Sequence, residues 1–140
     1  MAVLGLDWGA RFVGFATASP DGLVITPRGF FERKIPKEKT WELFEKDRKE
    51  LKKIISEWEI ETIIIGLSLT HSSHTDELLV KASNLKETLT KEFALPVSLV
   101  DEYLTSWEAN KSPHNQHAQA AALILKNYFH EQKPNYERKK

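Results

Sequence analysis

Thr62-Ile63-Ile64-Ile65-Gly66-Leu67 is an apolar, largely β-branched run with no polar alternation. A strand with one wet face alternates polar and apolar residues, because successive side chains point to opposite sides. This run does not alternate, so both of its faces must be covered, as in the central strand of a sheet packed between helices. The chain around it has 140 residues, 41% of them hydrophobic, which is enough for one domain with a single core.

The flanking segments supply the other layers. Val3 to Leu6 is a short apolar run ending in Asp7, and Phe12 to Ala18 is a second, with Gly14 inside it. Trp8-Gly9-Ala10-Arg11 joins the two as a tight hairpin. Ser19-Pro20-Asp21-Gly22 is a turn signal, and Val24-Ile25 with Gly29-Phe30-Phe31 reads as a third, interrupted strand. Thr40 is placed to cap a helix from Trp41 to about Trp58, with Trp41, Phe44, Leu51, Ile55 and Trp58 inward and a Lys/Glu-rich face outward. Thr75 caps a second helix through Phe93, buried on Leu78, Leu79, Ala82, Leu85 and Leu89. Val97 to Val100 is a last strand, running into Asp101-Glu102, and a final helix spans about Asn115 to His130. The predicted order is βββαβαβα. It describes an α/β fold with a five-stranded mixed sheet, three antiparallel strands then two parallel, and helices on both faces. Residues 1–131 form the domain, and the basic stretch 132–140 reads as a flexible tail.

Charge and cysteine content narrow the function. Lys+Arg and Asp+Glu are 20 each, so bulk basicity is excluded as a means of binding nucleic acid. The layout is uneven: residues 28–53 carry net +4, residues 54–125 net −6 and residues 126–140 net +3. Two basic stretches and one acidic stretch can form separate surfaces. With no cysteine, disulfides, thiolate zinc sites and a Cys nucleophile are excluded. The N-terminus lacks the pattern of a signal peptide and no window is a membrane span, so a soluble, cytoplasmic protein is expected, as a monomer or weak homodimer.

The chemistry falls at strand ends. Asp7 closes the first strand and Asp101-Glu102 the last, and the carboxyl ends of strands are where open α/β sheets bind ligands. Carboxylates brought together there repel unless a divalent cation neutralises them, and carboxylate-held Mg²⁺ or Mn²⁺ serves attack on phosphodiesters. Asp7 could equally cap the Trp8-Gly9 turn, and Asp101 and Glu102 point to opposite faces if the strand continues through them. His114 and His117 share one face at the start of the last helix.

The string Leu4-Gly5-Leu6-Asp7-Trp8-Gly9-Ala10-Arg11-Phe12-Val13-Gly14-Phe15-Ala16 resembles the opening motif of the YqgF family, Holliday-junction-resolvase-like proteins also described as pre-16S rRNA nucleases. Further stretches agree in order: Thr26-Pro27-Arg28 with Arg33-Lys34, Ile63 to Leu69, Val100 to Ser106, and His117 to Leu125. The resemblance implies a ribonuclease H-like fold and an acidic triad that binds Mg²⁺ or Mn²⁺. By position Asp7 is the first ligand, Glu102 (or Asp101) the second, and His117 stands where the family has an Asp. Tyr103 replaces the Arg of an Asp-Glu-Arg motif, Ser68 replaces a Pro, and the segment from Glu108 to Gln116 is short. The implied activity is metal-dependent endonucleolytic hydrolysis of an rRNA precursor or branched DNA, with Arg11, Arg28 and Lys34 contacting phosphates. Two alternatives stand beside it. One is a catalytically degenerate relative that binds nucleic acid or a protein partner. The other is a nucleotide-binding, ATPase-like half-domain, against which Arg11 occupies the place of a phosphate-binding Ser or Thr.

Overall fold

The computed structural model describes residues 1–67, 75–101 and 116–138. Glu102, Tyr103, Ser68, His71, His74 and His114 lie outside the described residues, as does the short segment before the last helix. Five strands form one sheet: β1 (Ala2–Trp8), β2 (Phe12–Ala18), β3 (Ile25–Glu32), β4 (Ile60–Leu67) and β5 (Val97–Asp101). Their spatial order is β3-β2-β1-β4-β5. The β1–β2 and β2–β3 pairs are antiparallel, and β4 is parallel to both β1 and β5. The sheet is therefore mixed as the element order predicts, with β1 and β4 central.

Among the described residues three α-helices cover it: α1 (Glu45–Glu57), α2 (Thr75–Phe93) and α3 (Gln116–Arg138). Leu51 and Ile54 of α1 and Leu85 and Leu89 of α2 pack with Leu4, Leu6, Trp8, Val13, Ile63 and Ile65 on one face. Ala121, Ala122, Ile124 and Leu125 of α3 pack with Val3, Ala16, Ile64 and Val100 on the other. Ile63, Ile64 and Ile65 are all fully buried, which is the double coverage their lack of alternation requires.

The first helix departs from its predicted start. Thr40 does not cap it; it ends a short 3-10 turn over Lys37–Lys39, and α1 begins at Glu45. Two interactions explain the shift. The Arg33 guanidinium donates to the carbonyls of Thr40 and Glu42, which a helix from Trp41 would need as acceptors. The Asp47 carboxylate instead accepts the Phe44 N–H and starts the helix there. The third strand is continuous, with a register irregularity opposite Phe15 and Ala16 that absorbs Arg28. The last helix runs beyond His130 to Arg138, through part of the stretch read as a tail.

Small residues set the depth of α3. A Cβ on Gly5 would lie 2.6 Å from Leu125 Cγ and 2.9 Å from the Ala121 carbonyl oxygen. A Cβ on Gly14 would collide with the His117 carbonyl group. Gly14 thus has a steric reason inside a strand: it is the seat of the first turn of α3. Gly14→Ala is expected to destabilise the fold by about 1–3 kcal/mol, the usual cost of overpacking, as read by urea denaturation.

Candidate functional site

Asp7 occupies the last turn of the pleat in β1, one residue before the strand ends. Its neighbours Val3 and Ala16 mark the α3 face, and alternation from Val3 through Gly5 carries Asp7 to that face. In the ladder Asp7 pairs with Gly14, and Gly14 pairs with Phe30 of β3. Because Gly14 has no side chain, the start of α3 settles into the gap, with His117 directly over it. The row across three strands is therefore Asp7, then Gly14 roofed by His117, then Phe30.

Burial holds the Asp7 carboxyl well above the ordinary carboxylate range, at about 6. No hydrogen bond from a described residue offsets that cost. A carboxylate withdrawn from water is stabilised by a nearby cation, but among the described residues no group of three His, Asp or Glu side chains is placed to hold a metal ion. Val100 of β5 is buried on the same face, against α3. It precedes Asp101, which ends the strand opposite Leu67 of β4. The two strand ends that sequence pairs as acidic thus lie at one edge of the sheet.

His117 is half-buried. Its imidazole stacks on the Phe12 ring, with centroids 4.5 Å apart and planes 28° apart, and meets Phe30 at 5.4 Å. Burial pushes its pKa below the usual histidine value, which favours the neutral ring. Among the described residues it makes no ion pair with a carboxylate. Stacking engages the faces of the ring, whereas its lone pair lies in the plane, so stacking and metal ligation are compatible.

The three basic candidates separate. Arg11 is exposed in the β1–β2 turn, its guanidinium 5.5 Å from the Phe12 ring centroid. Lys34 is exposed just after β3, and both line a cleft with Ala10, Glu32, Ile35, Pro36 and Lys37. That cleft opens at the same edge as Asp7. Arg28 is elsewhere: its Nε donates to Thr17 Oγ1 at 2.9 Å and its guanidinium lies over Trp58 at 5.1 Å, on the α1 face. The structure brings Arg11 and Lys34 to the Asp7 end and leaves Arg28 on the opposite side of the sheet.

Sequence reasoning did not find what fixes this edge. Arg33 is buried, and all five of its donors are used. Nε and Nη2 form a fork on the Asp47 carboxylate, both at 3.0 Å. Nη1 donates to the Gly9 carbonyl at 2.7 Å and the Thr40 carbonyl at 2.9 Å, and Nη2 also reaches the Glu42 carbonyl at 2.9 Å. Its plane lies over the Trp8 ring at 4.7 Å, and Trp8 Nε1 donates to Thr40 at 2.6 Å. The hairpin turn that follows Asp7 is thereby tied to α1.

A model of the RuvX family, described as a Holliday junction resolvase, matches residues 1–131. The chain belongs to this family. Its relatives include a "Putative pre-16S rRNA nuclease" from Dictyoglomus thermophilum, 28% identical with 92% of this chain and 95% of that one covered. Proteins of the same description from Acaryochloris marina and Koribacter versatilis are 30% and 38% identical. The first covers 96% of this chain and 94% of its own length, the second 78% and 66%. Among solved structures, Thermus thermophilus RuvC in complex with a Holliday junction substrate superposes with a TM-score of 0.59 at 13% identity, covering 95% of this chain and 96% of that one. Fowlpox virus resolvase with Holliday junction DNA gives 0.52 at 8%, covering 94% and 99%. The fold of this RuvX-family chain is that of the RuvC-like, ribonuclease H-like resolvases. No helix among the described residues is long and apolar enough to cross a membrane.

Proposed function

We propose that this chain is a divalent-metal-dependent nuclease that hydrolyses a phosphodiester bond in structured nucleic acid, an rRNA precursor or branched DNA. The observation that carries the reading is Asp7: a partly buried carboxylate without a described hydrogen-bond donor, at the same edge of the sheet as a cleft bearing Arg11, Lys34 and Lys37. Membership of RuvX, relatives described as pre-16S rRNA nucleases and fold neighbours holding junction DNA support it.

Asp7 and Glu102 would hold the cation, with Asp101 as the alternative at the end of β5 and His117 as the third ligand. Glu102, which lies outside the described residues, is favoured over Asp101 by its position in the family motif. A bound divalent cation supplies a Lewis acid at the phosphoryl oxygens. The protein's own part is positioning. Arg11, Lys34 and Lys37 neutralise the substrate's phosphates, and the Arg33 fork fixes the turn that carries Arg11. An imidazole ligand favours Mn²⁺ over Mg²⁺, so activity is expected to be higher with Mn²⁺.

The test is cleavage of precursor rRNA and of a four-way DNA junction by the full chain with each metal. Asp7→Asn is expected to lose more than about a hundredfold in rate, since even outer partners of metal sites are worth about 10–100-fold. Cleavage that persists in Asp7→Asn overturns the assignment. A second reading, binding without turnover, draws on the stacked His117 ring; it predicts substrate affinity without cleavage under either metal.

A further inference from the structure

Beside Asp7 the structure presents an aromatic cluster, of which the hydrolytic reading gives a role to His117 alone and leaves Phe12 and Phe30 without one. Phe12 and Phe30 meet edge to face at 5.4 Å, and His117 lies against both. Core aromatics are covered, yet Phe30 is 47% exposed and sits on β3, the outermost strand of its side of the sheet. His117 is pinned from beneath by Gly14, so the cluster is a built arrangement rather than a loose side chain on the surface.

The surroundings select the occupant. Arg11 approaches the Phe12 ring, and Lys34 and Lys37 line the adjoining cleft, so cations flank the rings. Glu32, the register partner of Phe12, is an acidic group lining the same cleft, and Lys46 Nζ donates to its backbone carbonyl at 2.6 Å. Aromatic faces bordered by cations form the usual platform for single-stranded nucleic acid, with rings for the bases and charges for the backbone. Phe30 lies two strands from Asp7 in the same row, about 10 Å away. That separation lets a neighbouring nucleotide of the strand whose phosphate reaches Asp7 place its base on the ring.

We propose, resting on the nucleic-acid reading of the Asp7 site, that Phe30, with Phe12 and His117 behind it, stacks an unpaired nucleobase next to the phosphate to be cut. The substrate class is narrowed accordingly: a strand with an unpaired or unstacked base at the cleavage point, as at a loop, a single-stranded end or a branch, rather than a continuous duplex. The base is bound by its face, so the platform is tolerant of sequence.

Binding is measured by fluorescence anisotropy, with the full chain, in EDTA, on two labelled RNA probes. One is a hairpin with an unpaired loop, and the other a blunt, fully paired duplex. Phe30→Ala is expected to weaken hairpin binding at least about fivefold while leaving duplex binding unchanged, because one base–aromatic stack is worth about 1–3 kcal/mol. The dependence of hairpin affinity on salt stays the same, since no phosphate contact is lost. Phe30→Trp keeps or strengthens binding, and Phe30→Leu, which preserves apolar bulk without a π-face, behaves like Phe30→Ala. Circular dichroism checks that each variant folds; if Phe30→Ala does not, Phe30→Leu decides. Hairpin binding by Phe30→Leu at the wild-type level overturns the platform, as does an equal loss on both probes. Failure of the wild type to bind either probe overturns it too. Absence of cleavage in metal, with ring-dependent binding intact, overturns the nuclease reading alone.

Discussion

Arg33→Ala is expected to lower the unfolding free energy by about 3–5 kcal/mol, the usual cost of breaking a buried ion pair from one side. The side chains of Arg33 and Asp47 are 1% and 2% exposed, so the truncation leaves a carboxylate in the core with no counter-ion. It also strips a donor from each of the Gly9, Thr40 and Glu42 carbonyls, of which, among the described residues, only Thr40 keeps another side-chain donor, from Trp8 Nε1. Lysine does not replace it: an ammonium has three donors, no fork and no plane to lay on Trp8. Arg33→Lys is therefore expected to recover only part of the loss. Asp47→Ala costs less in an Arg33→Ala background than alone, because the charge it removes is already unpaired. Against a typical total of about 5–15 kcal/mol, losses of this size are readily measured by urea denaturation. A change below about 1 kcal/mol in Arg33→Ala would show that the clamp is not what holds the turn after Asp7.

The same clamp explains what sequence could and could not reveal. Patterns that act locally were legible. The unbroken apolar run from Thr62 marks β4, the inward spacing of Leu78 to Leu89 marks α2, and the short connection at Trp8 to Arg11 marks a hairpin. From these the five-stranded mixed sheet and its two covered faces follow. The start of α1 was not legible, because it is set by a residue 14 positions upstream of Asp47 that takes the first carbonyls for itself. Asp47 reads as part of a charged outer face and is in fact buried. Asp7 was legible as a candidate because a buried strand that ends in a carboxylate is chemically conspicuous. Phe30 was not, because Pro27 and Gly29 interrupt the alternation of β3, and its face depends on register with β2 across an irregularity. His117 was visible as a departure from the family motif, but its stacking partners come from two strands far away in sequence.

Asp7→Asn is expected to make the metal-free protein more stable while abolishing cleavage. Burial raises the Asp7 pKa from 3.8 to about 6, so the fold disfavours the ionised form. Well below pH 3.8 the carboxyl is protonated in folded and unfolded chains alike, and its ionisation costs nothing. Between about pH 4 and 6 the unfolded chain ionises first, and stability falls as pH rises. Above about pH 6 the whole penalty is present, of order 1–3 kcal/mol, because each tenfold weakening of the acid in the fold costs about 1.4 kcal/mol. Asparagine carries no charge to desolvate, so the variant gains by that amount at pH 8 and by only about 0.5 kcal/mol at pH 4. Divalent cation reverses the order: it binds the folded wild type through Asp7 and raises its Tm, and leaves the variant nearly unmoved. Thermal melts of both proteins at pH 4 and pH 8, with EDTA or Mn²⁺, check all of this together. An Asp7→Asn protein less stable than wild type at pH 8 in EDTA would mean that the carboxylate is held by donors within the fold, and is not a group awaiting a cation.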